Sequence, residues 1–256
     1  MPAATPVLWH FEVSHFNEKA RWALDYKAIA HKRRPLLPGL HVLPVLRLTR
    51  QNQVPVLVLD GNKPIHDSTR IIEALEEGWP DPPLYPSDRA GRERALELED
   101  FFDEQLGPYI RRALFYDVLP DSAYSSRMFV GTAGPAWQAI YRAMFPLTRA
   151  LMRTAMNINA GSAAIAFDKT VAALDRLERE IRPSGYLVGD RFSVADLTAA
   201  ALLAPVLDAP EFPYPLPHPR PDAYRRFVAS FGQREAFTWA RHIYARHRGR
   251  SAETRA

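Results

Sequence analysis

The stretch VSHFNEKARWAL at residues 13–24 decides how the rest of the chain is interpreted. It overlaps the end of VLWHFEV at 7–13, a run of β-branched and aromatic residues that predicts a strand. From Phe16 onward the apolar residues recur at helical spacing, and charged residues occupy the other faces. Ser14 therefore stands where a strand meets a helix.

The hydroxyl of Ser14 has three chemically reasonable roles at such a junction. A serine here is most often the N-cap of the helix. A nucleophilic serine for acyl transfer is often marked by a G-x-S-x-G turn, and the sequence around Ser14 lacks that turn. The third role is donation of a hydrogen bond to a bound anion, because the N–H groups and dipole of a helix N-terminus favour a thiolate or phosphate. The cap and the donor both remain open at this point.

Composition excludes several classes of function. The 256 residues contain no cysteine, so disulfides, thiolate metal sites and a thiol of the chain's own are excluded. The eight histidines show no metal-ligand spacing, and we expect no metal. A net charge of +4, with basic and acidic residues interspersed, does not predict a nucleic-acid partner. No signal peptide or membrane span is evident, so we expect a cytoplasmic protein without a membrane partner.

The first part of the chain alternates strand and helix patterns in the order β-α-β-(α)-β-β-α, complete by residue 78. After the first strand and helix, the predicted segments are a weak strand at 32–38, an uncertain segment HVLPVLRL at 41–48, a buried strand at 54–60, a turn at Gly61-Asn62, a short strand at 63–66 and a helix at 67–77. The alternation predicts one α+β domain over residues 1–78.

The remainder of the chain is predicted to be helical. The proline-rich stretch 79–88 has no periodicity and is interpreted as a linker. Residues 89–245 show helical spacing of apolar residues and predict an all-α bundle, interrupted by a proline-rich loop at 207–222. Residues 246–256 are expected to form a flexible basic tail.

Two further short segments each allow a structural and a ligand-binding interpretation. Val54-Pro55 places a proline at the start of a strand, which is either an edge strand or a cis bond that turns the Val54 backbone toward a peptide ligand. Asp67-Ser68 begins a helix, where one of the two is expected to cap it; a carboxylate and a hydroxyl there also suit a ligand with an ammonium and a carboxylate. Ser193-x-x-Asp196 is interpreted as a structural capping box.

These segments together resemble the glutathione S-transferase superfamily, in a serine-type, bacterial-like form whose subclass is not assigned. SHFNEKARWAL resembles the segment that follows the first strand in that family, with Lys19 and Arg21 as its basic-x-Arg pair. QVPVLV is similar to the family's cis-proline loop, HDSTRIIEAL to its acidic-Ser helix start, and LVGDRFSVADL to its capping-box motif. The resemblance implies a thioredoxin-like N-terminal domain (βαβαββα) followed by an all-α helical bundle domain.

The resemblance also implies a set of ligand contacts. Ser14 would donate its hydroxyl to the sulfur of glutathione, the co-substrate, and favour its thiolate. The other implied glutathione-binding residues are Asn17, Val54, Pro55 in cis, Asp67 and Ser68. An electrophile would bind between the domains, with Tyr109, Phe115 and Tyr116 as candidate contacts.

The implied function is glutathione transfer to a small electrophile, as in detoxification, by a homodimer. The alternative is a glutathione-binding or scaffold protein of this fold with little or no catalytic activity. Relatives often carry proline and cysteine where this chain has His15 and Asn17. The absence of cysteine argues against members that form a mixed disulfide with glutathione.

Overall fold

The N-terminal part of the computed structural model contains a four-stranded sheet and three helices. The structure describes residues 5–59 and 63–254, so the predicted turn at Gly61-Asn62 lies outside the described residues. The elements are β1 (Val7–His10), α1 (His15–Tyr26), β2 (Lys32–Pro35), α2 (Val42–Thr49), β3 (Val56–Val58), β4 (Ile65–His66) and α3 (Ser68–Gly78). The sheet order is β2-β1-β3-β4, with β1 parallel to β2 and antiparallel to β3. The predicted βαβαββα order is confirmed, and HVLPVLRL supplies α2.

Strand β1 is shorter than the sequence predicts, and Arg21 explains why. It ends at His10, whereas the apolar pattern continues to Val13. The Arg21 guanidinium donates to the carbonyls of Phe11 at 2.9 Å and Glu12 at 3.0 Å. These carbonyls are thus satisfied by a buried side chain instead of a neighbouring strand. The chain is therefore free to turn immediately before α1.

The second part is a helical bundle, as predicted. Its helices are α4 (Arg89–Gln105), α5 (Gly107–Val118), α6 (Ser122–Val130), α7 (Pro135–Ala155), α8 (Ala160–Glu180), α9 (Val194–Leu207), α10 (Asp222–Ala229) and α11 (Glu235–His247). Every residue of α9 is buried, so this helix is the centre of the bundle. The capping box at its start is confirmed, since Asp196 accepts hydrogen bonds from the N–H and hydroxyl of Ser193. Among the described residues, no helix is long and apolar enough to cross a membrane.

The basic-x-Arg pair of α1 is buried and joins the two parts of the fold. Lys19 forms ion pairs with Glu99, at 2.7 Å, and with Asp103, both on α4. It also donates to the hydroxyl of Thr69 on α3 at 2.9 Å. One lysine therefore ties α1, α3 and α4 together.

The prediction of a flexible tail is wrong for residues 246–254. Helix α11 continues to His247, and the guanidinium of Arg248 is buried between two carboxylates of α1. Its nitrogens lie 2.5 Å from Glu18 and 2.8 Å from Asp25. The N–H of Ala252 also donates to Asp25, at 2.8 Å. The basic composition of the segment favours solvent exposure, and it does not show that two buried acids on α1 pair with it.

Candidate active site

A cavity of about 900 Å³ lies between the thioredoxin-like part and the helical bundle. One side is lined by the start of α1, the loop before β3 and the start of α3; the other side is lined by α5, α6 and α7. Five of the six residues predicted to contact glutathione line it: Ser14, Val54, Pro55, Asp67 and Ser68. Residues far apart in sequence thus meet at one surface.

The hydroxyl of Ser14 does not cap α1. Ser14 occupies the N-cap position with extended backbone (φ −80°, ψ 130°), but its side chain accepts no hydrogen bond from the backbone of the first turn. Its Oγ instead accepts from Nδ2 of Asn17 at 2.7 Å. Because the amide N–H can only donate, the proton of the hydroxyl remains for another acceptor. Ser14 lines the cavity, so an acceptor bound there can receive that proton.

Asn17 supports this arrangement from behind the cavity wall. Its side chain is fully buried, and it does not line the cavity. The N–H of Phe11 donates to Oδ1 at 3.2 Å, which fixes the amide so that Nδ2 faces Ser14. Nδ2 also lies 3.4 Å from the carbonyl of Val54. The structure therefore places Asn17 against Ser14 and the loop before β3 rather than beside a ligand in the cavity.

The Val54-Pro55 bond is cis, as the resemblance implies. Val54 precedes β3, and its N–H donates to no acceptor among residues 5–59 and 63–254. Since Val54 lines the cavity, this N–H is available to a bound peptide. The edge-strand alternative is not observed, because β3 lies between β1 and β4.

Asp67 and Ser68, at the start of α3, have different roles. Asp67 is the N-cap: its carboxylate accepts from the N–H of Thr69 at 2.9 Å and of Arg70 at 3.4 Å. Its backbone, at φ 77° and ψ 131°, has a positive φ that residues other than glycine rarely adopt. Ser68 is buried and lines the cavity beside it. The expectation that one of the pair caps the helix is confirmed.

The predicted electrophile contacts do not share one face of α5. Phe115 lines the cavity with Ile110, Arg111 and Leu114. Tyr109 and Tyr116 do not line it; Tyr116 is 39% exposed, and the ring of Tyr109 faces Arg112, 5.5 Å from its guanidinium carbon. At 100° per residue, these two tyrosines lie opposite the cavity face. The structure therefore brings only Phe115 to the site.

His15 is an uncharged structural residue of this site. Its Nε2 donates to the carbonyl of Gly107 at 3.1 Å, linking the start of α1 to the start of α5. Burial, reinforced by the charge of Arg111, lowers the pKa of His15 to about 3. The imidazole is therefore neutral at physiological pH and donates only to the bundle.

Sequence reasoning missed several cavity-lining segments. Helix α7 contributes Thr148, Leu151 and Met152, and the proline-rich loop contributes Leu216. Tyr214 of the same loop packs against Arg21, with its ring centroid 4.9 Å from the guanidinium carbon. Apolar residues at helical spacing predict a helix but do not tell which partner it covers. Arg111, also missed, is the one arginine among the described residues that line the cavity.

The chain is similar to known glutathione S-transferases in sequence. The sequence-family model of the glutathione S-transferase N-terminal domain matches residues 8–83. The family model of the C-terminal domain matches residues 132–229. Glutathione S-transferase U24 of Arabidopsis thaliana is 33% identical over 109 residues, which are 41% of this chain and 49% of that protein. The chain thus spans about half the length of the curated relatives it matches.

Solved structures of the same family have a similar fold. A glutathione S-transferase from Xanthobacter autotrophicus superposes with a TM-score of 0.62, covering 94% of this chain and 93% of that one at 19% identity. A glutathione S-transferase from Methylobacterium radiotolerans, in complex with glutathione sulfonate, superposes with a TM-score of 0.57. The superposition covers 92% of this chain and 93% of that one at 21% identity. At these identities the likeness concerns the fold alone.

Proposed function

Because this chain belongs to the glutathione S-transferase superfamily, we propose that it is a glutathione-dependent transferase acting on a small electrophile. The observation that carries the proposal is the hydroxyl of Ser14, which faces the cavity and is oriented by the amide of Asn17 at 2.7 Å. A chain without cysteine has no thiol of its own, so the nucleophile comes from the bound tripeptide.

The proposed binding mode uses the cavity wall of the thioredoxin-like part. The N–H and carbonyl of Val54 pair with the cysteinyl portion, beside the cis Pro55. Asp67 and Ser68 hold the γ-glutamyl end. The carboxylate of Asp67 faces the ammonium group of the ligand, and the hydroxyl of Ser68 faces the carboxylate of the ligand. This mode places the sulfur next to Ser14 and leaves the bundle side of the cavity for the electrophile.

The proposed chemistry is thiol activation followed by substitution. The hydroxyl of Ser14 donates to the sulfur and stabilises the thiolate, while the thiol proton leaves to solvent. The N-terminus of α1 adds its dipole to the same stabilisation. A sulfur lone pair then forms the carbon–sulfur bond, and the leaving group departs with its bonding electrons. The protein contributes orientation and charge stabilisation, and glutathione contributes the nucleophile.

Isothermal titration with glutathione tests the binding part of this proposal. Ser68→Ala is expected to weaken binding about tenfold, because a hydrogen bond to a charged group is lost. The matched control is Ser184→Ala, since Ser184 is exposed and outside the cavity; its affinity should equal that of wild type. No binding by wild type, or equal effects of the two substitutions, would refute the binding mode.

Two further expectations are proposed with this function. A homodimer in the cytoplasm follows from the family resemblance, and detoxification follows from the reaction class. Sedimentation at dilute concentration tests the dimer: a single species at 29.0 kDa would contradict it.

A further inference from the structure

Arg111 lies on the bundle side of the cavity, on the part of α5 that approaches the start of α1. Helix α5 approaches α1 at Gly107, where a Cβ would stand only 2.5 Å from Cζ of Phe16. Arg111 follows one helical turn later, with its guanidinium carbon 5.8 Å from the Phe16 ring centroid. Ser14, Phe16 and Arg111 all line the cavity, so the cation borders the same space as the proposed sulfur position.

The charge of Arg111 is not compensated within the part of the chain that the structure describes. The buried arginines Arg21, Arg33 and Arg248 each form an ion pair with a carboxylate. Arg111 forms none with residues 5–59 or 63–254; burial and the neighbouring Arg112 lower its pKa to about 10. It is still protonated at neutral pH. A half-buried cation without a partner is unfavourable, and a bound anion would relieve that cost.

The surroundings of Arg111 are apolar. The nearest lining residues along α5 are Ile110, Leu114 and Phe115. Helices α6 and α7, and the residue that follows α7, add further apolar side chains: Met128, Phe129, Leu151, Met152 and Met156. Among the described lining residues, the one carboxylate is Asp67, which caps α3 on the thioredoxin-like side. The bundle side of the cavity therefore offers one fixed positive charge within a hydrophobic pocket.

We propose that Arg111 determines substrate specificity by binding the anionic group of an otherwise apolar electrophile, such as an aromatic carboxylate. The apolar side chains contact the body of the substrate, and the guanidinium binds the carboxylate in a fork geometry. The reacting carbon is then held toward the sulfur, at the Ser14 end of the cavity. This inference rests on the proposed function, since it names the acceptor for the same site.

Two matched pairs of probes test the proposal. An unreactive nitrobenzoate and its methyl ester are titrated into glutathione-saturated protein by calorimetry, and a chloronitrobenzoate and its methyl ester are compared as substrates by kcat/KM. The variants are Arg111→Gln, Arg111→Lys and the control Arg142→Gln, since Arg142 is exposed and outside the cavity. Binding of the unreactive pair requires no turnover, so it decides the inference even where the transferase activity fails.

For Arg111→Gln we expect about a 10- to 100-fold loss of affinity and kcat/KM for the carboxylated probes, as for a lost charge-assisted hydrogen bond. The methyl esters and glutathione itself should bind as to wild type, and Arg111→Lys should retain part of the preference. Equal losses for acid and ester, or a weakened affinity for glutathione, would overturn the proposal. So would a wild type that does not prefer the nitrobenzoate over its ester.

Discussion

Arg248→Ala is expected to destabilise the fold although only eight residues of the sequence follow it. The guanidinium lies 2.5 Å from Glu18 and 2.8 Å from Asp25, and all three side chains are at most 2% exposed. Removing one partner of a buried ion pair typically costs about 3–5 kcal/mol, because a buried charge is left without compensation.

The loss of stability in Arg248→Ala should be smaller than this typical cost, because each carboxylate still pairs with a second arginine. Glu18 still pairs with Arg21 at 2.9 Å, and Asp25 with Arg33 at 2.6 Å. The loss of packing over Trp22, whose ring centroid lies 5.7 Å from the guanidinium carbon, adds to the effect. We therefore expect the free energy of unfolding to fall by about 2–4 kcal/mol.

Urea denaturation followed by circular dichroism measures this change. Arg250→Ala is the matched control, because it removes the same charge from an exposed side chain two residues later; we expect a change within about 0.5 kcal/mol. Equal stabilities of the two variants would refute the reasoning and would return the segment after α11 to the flexible tail that its composition suggests.

Three further substitutions have expected outcomes. Asn17→Ala should lower kcat/KM about tenfold at equal expression, because the serine hydroxyl loses its fixed orientation. Gly107→Ala should lower the free energy of unfolding by about 1–3 kcal/mol, because the new Cβ overlaps the ring of Phe16; Phe16→Leu in the same chain should restore part of it. The pKa of His15 is about 3 in the folded chain, below its ordinary 6.5, so the unfolded chain takes up the proton first and stability falls as pH falls from 6.5 to 3. His15→Asn should reduce that slope by up to about 1.4 kcal/mol per pH unit, and the exposed His242→Asn should leave it unchanged.

Each of these has a result that contradicts its reasoning. If kcat/KM of Asn17→Ala equals that of wild type, the Ser14 hydroxyl does not need Asn17 for its orientation. If Gly107→Ala has the same urea midpoint as wild type, α5 can move away from α1 to accommodate the new Cβ. An unchanged pH slope in His15→Asn would mean that another group controls acid unfolding.

Local patterns predicted the elements of the fold because they depend on periodicity and on neighbouring residues. The capping box at Ser193 and Asp196 is a contact over three residues, and the sequence predicts it directly. The end of β1 was not predictable in this way, because it depends on Arg21 satisfying the carbonyls of Phe11 and Glu12, which lie ten and nine residues earlier, outside α1. The burial of Arg248 depends on acids more than 200 residues earlier in the chain.

The candidate site was predictable to a similar degree. The thioredoxin-like side of the cavity is built from short motifs, and five of the six residues predicted to contact glutathione meet there. Tyr109 and Tyr116 were chosen for their chemistry, yet the helical period alone separates them from Phe115. Arg111 shares a face with Leu114 and Phe115, so the same period indicates it once the orientation of α5 is known. The sequence does not contain that orientation in any local pattern.

Titration of the thiolate absorbance of the glutathione complex shows whether Ser14 stabilises the bound thiolate, as we propose. In wild type the pKa of the bound thiol should lie about one unit or more below that of free glutathione. In Ser14→Ala, which should still bind the tripeptide through the Val54 backbone and the start of α3, we expect the pKa to return toward the free value. An unshifted thiol pKa in the wild-type complex, or the same shift in both proteins, would show that Ser14 does not stabilise the thiolate.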